Sequence, residues 1–263
     1  MPTRASAPLG APCWIDLWTS DVEGSRHFYA ELFGWDPQEP SAEFGGYFMF
    51  NRSGVPVAGG MGGMGDLPAD DSWKIYLDTD DIARTAHDAE AAGATITGPP
   101  GPVADLGIQA VLTDPTGARI GAWQAGTFPG FTVLGEHGSP SWFELHTSDY
   151  SAAVDFYRSA FRWDTRVEAD TDQFRYTVMQ DPSRDGELAG IMDAAAILGT
   201  GEQSRWVVYF EVDDVSSSVP LVDKLGGSVV RGPEDTSYGR LAEVADPAGA
   251  HFKLRTGSGP GPS

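Results

Sequence analysis

Two short runs set an acidic side chain between large rings at alternate positions: Trp14-Ile15-Asp16-Leu17-Trp18 and Trp142-Phe143-Glu144-Leu145-His146. Successive side chains of a strand point to opposite faces, so Trp14, Asp16 and Trp18 share one face, as do Trp142, Glu144 and His146. A carboxylate beside indole rings loses hydration, which raises its pKa toward the range useful for proton transfer. Asp16 and Glu144 are therefore candidate acid–base groups, and His146 is a candidate general base. The competing structural reading ties each carboxylate to a basic side chain or backbone N–H and makes His146 an ordinary satisfied polar residue.

The same alternation picks out what would surround them. Lys74, Tyr76 and Asp78 share a face in one strand, and Val207, Tyr209 and Glu211 share the matching face later in the chain. Arg119, Gly121 and Trp123 form a third set, matched by His251, Lys253 and Arg255. Flat aromatic walls with sparse polar groups suit a planar aromatic ligand. Trp14, Trp18, Lys74, Tyr76, Trp123, Trp142, Tyr209 and His251 are the candidate ligand-binding residues. Within that set, Lys74, Tyr76 and Tyr209 could polarise a carbonyl or phenol oxygen. The alternative for the aromatic members is a packed core where two modules meet.

These residues recur because the chain is internally repeated. Trp14–Asp21 returns as Trp142–Asp149, Phe28-Tyr29 as Phe156-Tyr157, and Trp35-Asp36 as Trp163-Asp164. Ala58-Gly59-Gly60-Met61 matches Ala189-Gly190-Ile191-Met192, and Trp73–Asp81 matches Trp206–Asp214. Asp114-Pro115-Thr116-Gly117-Ala118 matches Asp246-Pro247-Ala248-Gly249-Ala250. Each copy is itself two βαβββ modules. In the first copy, strands are expected at 14–19, 47–51, 56–61, 74–78, 94–97, 109–113 and 119–124, with helices at 25–33 and 81–92. The expected class is α+β: a tandem duplication whose four βαβββ modules form two cup-shaped mixed sheets. An N-terminal domain over 1–123 and a C-terminal domain over 141–256 flank a Gly/Pro-rich linker at 124–140, and 257–263 is a tail expected to be disordered. The run Gly59–Gly65 reads as a flexible connection, with a lid over the cup as one role for it.

Composition narrows the function. Seventeen Lys and Arg against thirty-eight Asp and Glu give a formal charge of −21, which repels phosphate backbones and anionic lipid surfaces. Neither nucleic acid nor membrane is an expected partner. Cys13 is the only cysteine, among apolar neighbours, so an intrachain disulfide and thiolate metal sites are excluded. No secretory signal is recognisable, and the expected location is the cytoplasm. P-loop, dinucleotide and nucleophile-elbow motifs are absent.

The order of motifs (Ser-Asp before the first helix, Phe-Tyr inside it, an Asp-Asp start to the second module, Asp-Pro-x-Gly-Ala near the end) resembles the vicinal oxygen chelate superfamily of glyoxalases, bleomycin-resistance proteins and dioxygenases. The resemblance runs from about Trp14 to Arg255 and is narrowest to two-domain actinobacterial members, called glyoxalase-like or hydroxylase-like, some of which accompany aromatic polyketide pathways. It implies a cup-shaped site in each half. It also implies where a metal would be held: the family's three ligand positions fall on Trp14, Lys74 and Gly121 in one half and Trp142, Val207 and Lys253 in the other. Those residue types bind divalent metals poorly, apart from a deprotonated lysine. No metal site and no cofactor is therefore expected, with Glu144, His146, Glu211 and His251 as the one displaced set that could converge on an ion.

Two functions follow. The first is a metal-independent tailoring enzyme, of proton-transfer isomerase, cyclase or lyase type, acting on an aromatic or polyketide-like metabolite. The second is a bleomycin-resistance-like protein that sequesters a planar aromatic or cationic antibiotic. The cups differ at Trp18 against His146, Lys74 against Val207 and Gly121 against Lys253, which favours one active cup. A monomer and a homodimer are both compatible with the fold.

Overall fold

The computed structural model describes residues 4–63, 68–181, 186–199 and 201–257. The first half runs β1 (Pro12–Trp18), α1 (Val22–Phe33), β2 (Asp36–Pro37), β3 (Phe48–Arg52), β4 (Val55–Met61), β5 (Ser72–Asp78), α2 (Ile82–Ala91), β6 (Thr95–Val103), β7 (Gly107–Thr113) and β8 (Arg119–Ala125). The second repeats it: β9 (Pro140–Thr147), α3 (Tyr150–Ala160), β10 (Thr165–Asp170), β11 (Arg175–Gln180), β12 (Glu187–Asp193), β13 (Arg205–Glu211), α4 (Val215–Lys224), β14 (Ser228–Thr236), β15 (Gly239–Ala245) and β16 (His251–Thr256). Each half is one eight-stranded mixed sheet, ordered β2-β3-β4-β1-β5-β8-β7-β6 and β10-β11-β12-β9-β13-β16-β15-β14. Two βαβββ modules therefore join along the antiparallel pair β1–β5, and again along β9–β13.

The repeated motifs have identifiable physical duties. Asp21, Asp81, Asp149 and Asp214 each accept a hydrogen bond from a backbone N–H in the first turn of the following helix, which is N-capping. Asp114 Oδ1 takes the N–H groups of Thr116 and Ala118 and closes the turn into β8, as Asp246 Oδ1 does for residues 248–250 before β16. Their second oxygens reach across to the other half. Tyr157 Oη donates to Asp114 Oδ2 at 2.9 Å, and Tyr29 Oη donates to Asp246 Oδ2 at 3.2 Å. Trp73 and Trp206 complete the two locks by donating Nε1 to Tyr29 Oη and Tyr157 Oη. Two copies of one buried lock thus join the halves, with Phe28 and Phe33 packed on Phe252 and Phe210 around the Tyr29–Asp246 one.

β8 continues to Ala125 and β9 begins at Pro140, so 126–139 joins them. This segment is anchored: Phe131 N–H donates to Cys13 O, and Trp35 Nε1 donates to Gly138 O. Cys13 is buried, and burial pushes its thiol well above the ordinary range. Gly59, Gly60 and Met61 lie inside β4 and are buried, so that part of the glycine run is strand and not lid; Met64 and Gly65 lie outside the described residues, as does the tail from 258. No helix among the described residues is long and apolar enough to cross a membrane.

Candidate functional site

Each sheet carries a buried carboxylate at the matching place on its first strand, and the two are held differently. In the N-terminal half, Asp16 Oδ1 accepts Trp14 Nε1 at 2.9 Å and Tyr47 Oη at 2.8 Å, with Tyr76 a further donor. Burial nevertheless dominates, and the Asp16 carboxyl is pushed up to about 6. In the C-terminal half, Glu144 accepts from Tyr209 Oη at 2.7 and 3.0 Å and from Tyr176 Oη at 3.3 Å. His146 Nε2 lies 2.9 Å from its Oε1, and Lys253 Nζ is 3.6 Å away. Burial pushes Glu144 upward too, but the Lys253 charge and the bond to His146 outweigh it and hold the carboxyl at about 2. The expectation of a raised pKa thus fits Asp16 and is reversed at Glu144, because a cation from β16 faces it.

The glycine of each Ala-Gly motif makes this approach possible. Gly59 and Gly190 pair with Asp16 and Glu144 in the parallel ladders. A Cβ on Gly59 would stand 1.9 Å from Tyr47 Oη, and one on Gly190 would stand 2.0 Å from Tyr176 Oη. Only glycine lets the tyrosine hydroxyl reach the strand carboxylate.

The remaining candidates separate into groups. Trp14 and Trp123 are buried, and both pack against Phe128 of the connecting segment, to which Trp123 donates its Nε1. They pack as core residues, the alternative open to aromatic side chains on this face. Trp18 is half-buried, with its Nε1 buried and without a hydrogen-bond partner. Lys74 is engaged by Asp70 and Ser72, Tyr76 by Asp16, and Tyr209 by Glu144. The two tyrosine hydroxyls are thereby spent, and Lys74 keeps one of its three N–H groups. Trp142 is half-buried and donates to Tyr176 Oη at 3.0 Å. His251 is exposed, and its Nδ1 lies 3.5 Å from Glu243 Oε1. It lies with Lys74, Arg119 and Arg205 along a cleft of about 500 Å³ between the halves.

Sequence reasoning placed Lys253 on the cup face without a role, and it missed Tyr47, Tyr176 and Glu243. Tyr47 and Tyr176 were recoverable, since they occupy equivalent places just before or at the start of β3 and β11. Glu243 pairs with Lys253 in the β15–β16 ladder, and its bond to His251 first, then the nearby Lys253 charge, holds it at about 2 against burial.

The family's metal does not fit this donor set. At its ligand positions Trp14 is committed to Asp16 and Tyr47, while Gly121 has no side chain. A Cβ on Gly121 would strike the Tyr76 ring at 2.1 Å. In the other half Val207 offers no donor, and the Lys253 ammonium beside Glu144 would repel a second cation. The displaced set does not converge either: Glu211 accepts from Gly257 N–H, and among the described residues no three His, Cys, Asp or Glu side chains are placed to hold an ion.

A family model for the Glyoxalase/Bleomycin resistance protein/Dioxygenase superfamily matches residues 13–121 and again 139–254. The chain belongs to that superfamily. It is 35% identical over 263 residues to the anthracycline biosynthesis protein DauV of Streptomyces sp. (strain C5), covering 93% of this chain and 92% of that one. It is 32% identical over 265 residues to CFP32 of Mycobacterium tuberculosis (strain CDC 1551 / Oshkosh), provisionally named a glyoxylase, covering 97% of each. Among solved structures, the 2,3-dioxygenase LapB from Pseudomonas sp. KL28 matches with a TM-score of 0.65 at 16% identity, covering 98% of this chain and 96% of that one. At that identity the likeness establishes the fold alone.

Proposed function

We propose that the protein is a tailoring enzyme of secondary metabolism that moves a proton on an aromatic or polyketide-like metabolite, in the C-terminal cup and without a divalent metal. The observation that carries this reading is the Glu144–His146 pair, 2.9 Å apart on the cup floor. A carboxylate held near pKa 2 accepts only, so His146 Nε2 bears the proton and Nδ1 is left as the basic nitrogen. Glu144 fixes that tautomer and stabilises the imidazolium formed when Nδ1 takes a proton. Asp16 has no imidazole beside it, the ammonium of its cross-strand partner Lys74 is turned to Asp70, and its cup is the packed one. The resemblance to anthracycline biosynthesis proteins supports a polyketide-like substrate.

Exposed rings at the mouth favour a second reading, a protein that binds such a ligand without changing it. Phe174 and Tyr238 are exposed, and both pack on Tyr176. One experiment separates the two. Phenolic polyketide-type ketones are incubated with the protein and a chelator in D2O, and deuterium incorporation is followed by mass spectrometry. Catalysed exchange that His146→Asn lowers at least ~100-fold supports the enzyme. Saturable tryptophan quenching with no exchange or product supports the binder, and exchange that the chelator abolishes refutes metal independence.

A further inference from the structure

Lys253 has donors that the protein does not use. Its Nζ donates to Tyr209 Oη at 2.8 Å. His146 Nε2 is 3.4 Å away but carries its own proton toward Glu144, and Glu144 Oε1 at 3.6 Å is beyond hydrogen-bond reach. An ammonium has three N–H groups. One is spent on Tyr209, and Lys253 lines a cavity of about 30 Å³, together with Arg231, Glu234, Leu241, Ala242 and Glu243, that has room for a single oxygen-sized group. Tyr176, whose hydroxyl reaches Glu144 at 3.3 Å, carries an aromatic shelf: Phe174 stacks on it at 5.5 Å, and Tyr238 lies 6.5 Å from it.

We infer that Lys253, steadied by the Tyr209 hydroxyl, binds the ionised phenol or enol oxygen of a planar ring ligand that rests against this shelf. The inference deepens the reading of the C-terminal cup as the ligand site and names the ligand's anchoring group. The charged groups around the ammonium are Glu144 and His146 on β9, Arg205 on β13, Arg231 and Glu234 on β14 and Glu243 on β15. The three carboxylates offset part of the Lys253 field, but they only accept hydrogen bonds. Of the two cations that line the cavity, Arg231 is exposed and Lys253 half-buried, so the ammonium is the donor that meets an anionic oxygen away from bulk water.

The test uses a hydroxyanthraquinone, whose ionised form absorbs at longer wavelength than its neutral form, and its methyl ether as the non-ionisable control. Titrated on the intact protein, the bound dye should ionise about one pH unit or more below its free pKa. Lys253→Met should return the bound pKa to the free value, Lys253→Arg should keep the shift, and the methyl ether should bind the wild type and Lys253→Met alike. A bound dye that keeps its free pKa in the wild type overturns the inference while leaving the cup as a ligand site. So does a shift that survives Lys253→Met. If neither dye nor ether binds, the reading of the cup falls with it. If Lys253→Met folds poorly, Lys253→Gln serves for the same comparison.

Discussion

Asp16 and Glu144 sit at equivalent points of a repeated sheet, yet neutralising them should change stability in opposite directions. Glu144 falls from an ordinary 4.5 to about 2, and Asp16 rises from 3.8 to about 6. At 1.36 kcal/mol per pKa unit, these are roughly 3 kcal/mol each, with opposite sign. A depressed carboxyl contributes stability that is present above its unfolded pKa and lost as pH falls through the folded one. Glu144 therefore stabilises the native state fully above about pH 4.5 and loses that contribution toward pH 2. A raised carboxyl does the reverse. Asp16 favours the native state below about pH 3.8 relative to higher pH, and it costs stability as pH rises through 6.

The assay is urea unfolding of wild type, Asp16→Asn and Glu144→Gln at several pH values between 4 and 8, read as differences so that the other titrating groups cancel. Asn can accept from Trp14 and Tyr47 as the protonated acid does, so Asp16→Asn should gain roughly 3 kcal/mol on the wild type between pH 4 and pH 8. Glu144→Gln leaves Lys253 without its buried counter-charge and should cost about 3 kcal/mol or more at pH 7. Parallel responses of the two variants, or an Asp16→Asn difference that is flat with pH, would refute the assignment of one neutralisable and one permanently charged carboxylate.

Three further outcomes follow from the geometry. Tyr157→Phe removes the donor to Asp114 and orphans Trp206 Nε1, which should cost roughly 3 kcal/mol and lower Tm by about 6–10 °C in a calorimetric scan; an unchanged Tm counts against the inter-half lock. Gly190→Ala forces Tyr176 off Glu144 and should cost about 1–3 kcal/mol by denaturant unfolding, with ring-ligand affinity falling alongside; a neutral effect would mean that the close approach is not needed. Gly121→Lys, which copies Lys253 into the first half, should not create a second charged cup. Its Cβ meets the Tyr76 ring, and loss of stability without an acidified Asp16 is the expected result by unfolding across pH.

The fold was legible because its signals are local and repeated. The capping aspartates, the Asp-Pro turns and the alternation in β1, β5, β9 and β13 each act within a few residues and occur twice. The site was less legible. Phe28-Tyr29 and Phe156-Tyr157 stand out as a repeated motif, and no spacing shows that the tyrosine hydroxyls cross to the other half's turn. Trp14 and Trp123 sit on the cup face as alternation requires, but Phe128 covers them from a segment without periodicity. The sign of the Glu144 shift depends on Lys253, which β16 brings beside β13, and β13 beside β9. A local reading sees the indole beside the carboxylate and not the ammonium that overrides it.

One exchange between the halves explains how an otherwise shared architecture yields two unlike floors. Both keep the strand carboxylate, the two tyrosines, the indole and the glycine that lets them meet. Tyr76 occupies the space over Gly121, whereas Tyr209 shares its place with Lys253, whose Nζ lies 4.7 Å from the ring centroid. With glycine there, only the hydrogen bonds from Tyr47, Tyr76 and Trp14 oppose the burial of Asp16, and its proton is held more tightly. With lysine there, the carboxylate is permanently charged and can hold His146 in one tautomer. The paired Tyr–Asp locks are present on both sides of the interface, so this divergence is confined to the cups. Duplication thus allows one half to carry a buried ion cluster whose desolvation is costly, while the other packs its counterpart as core against the same interface.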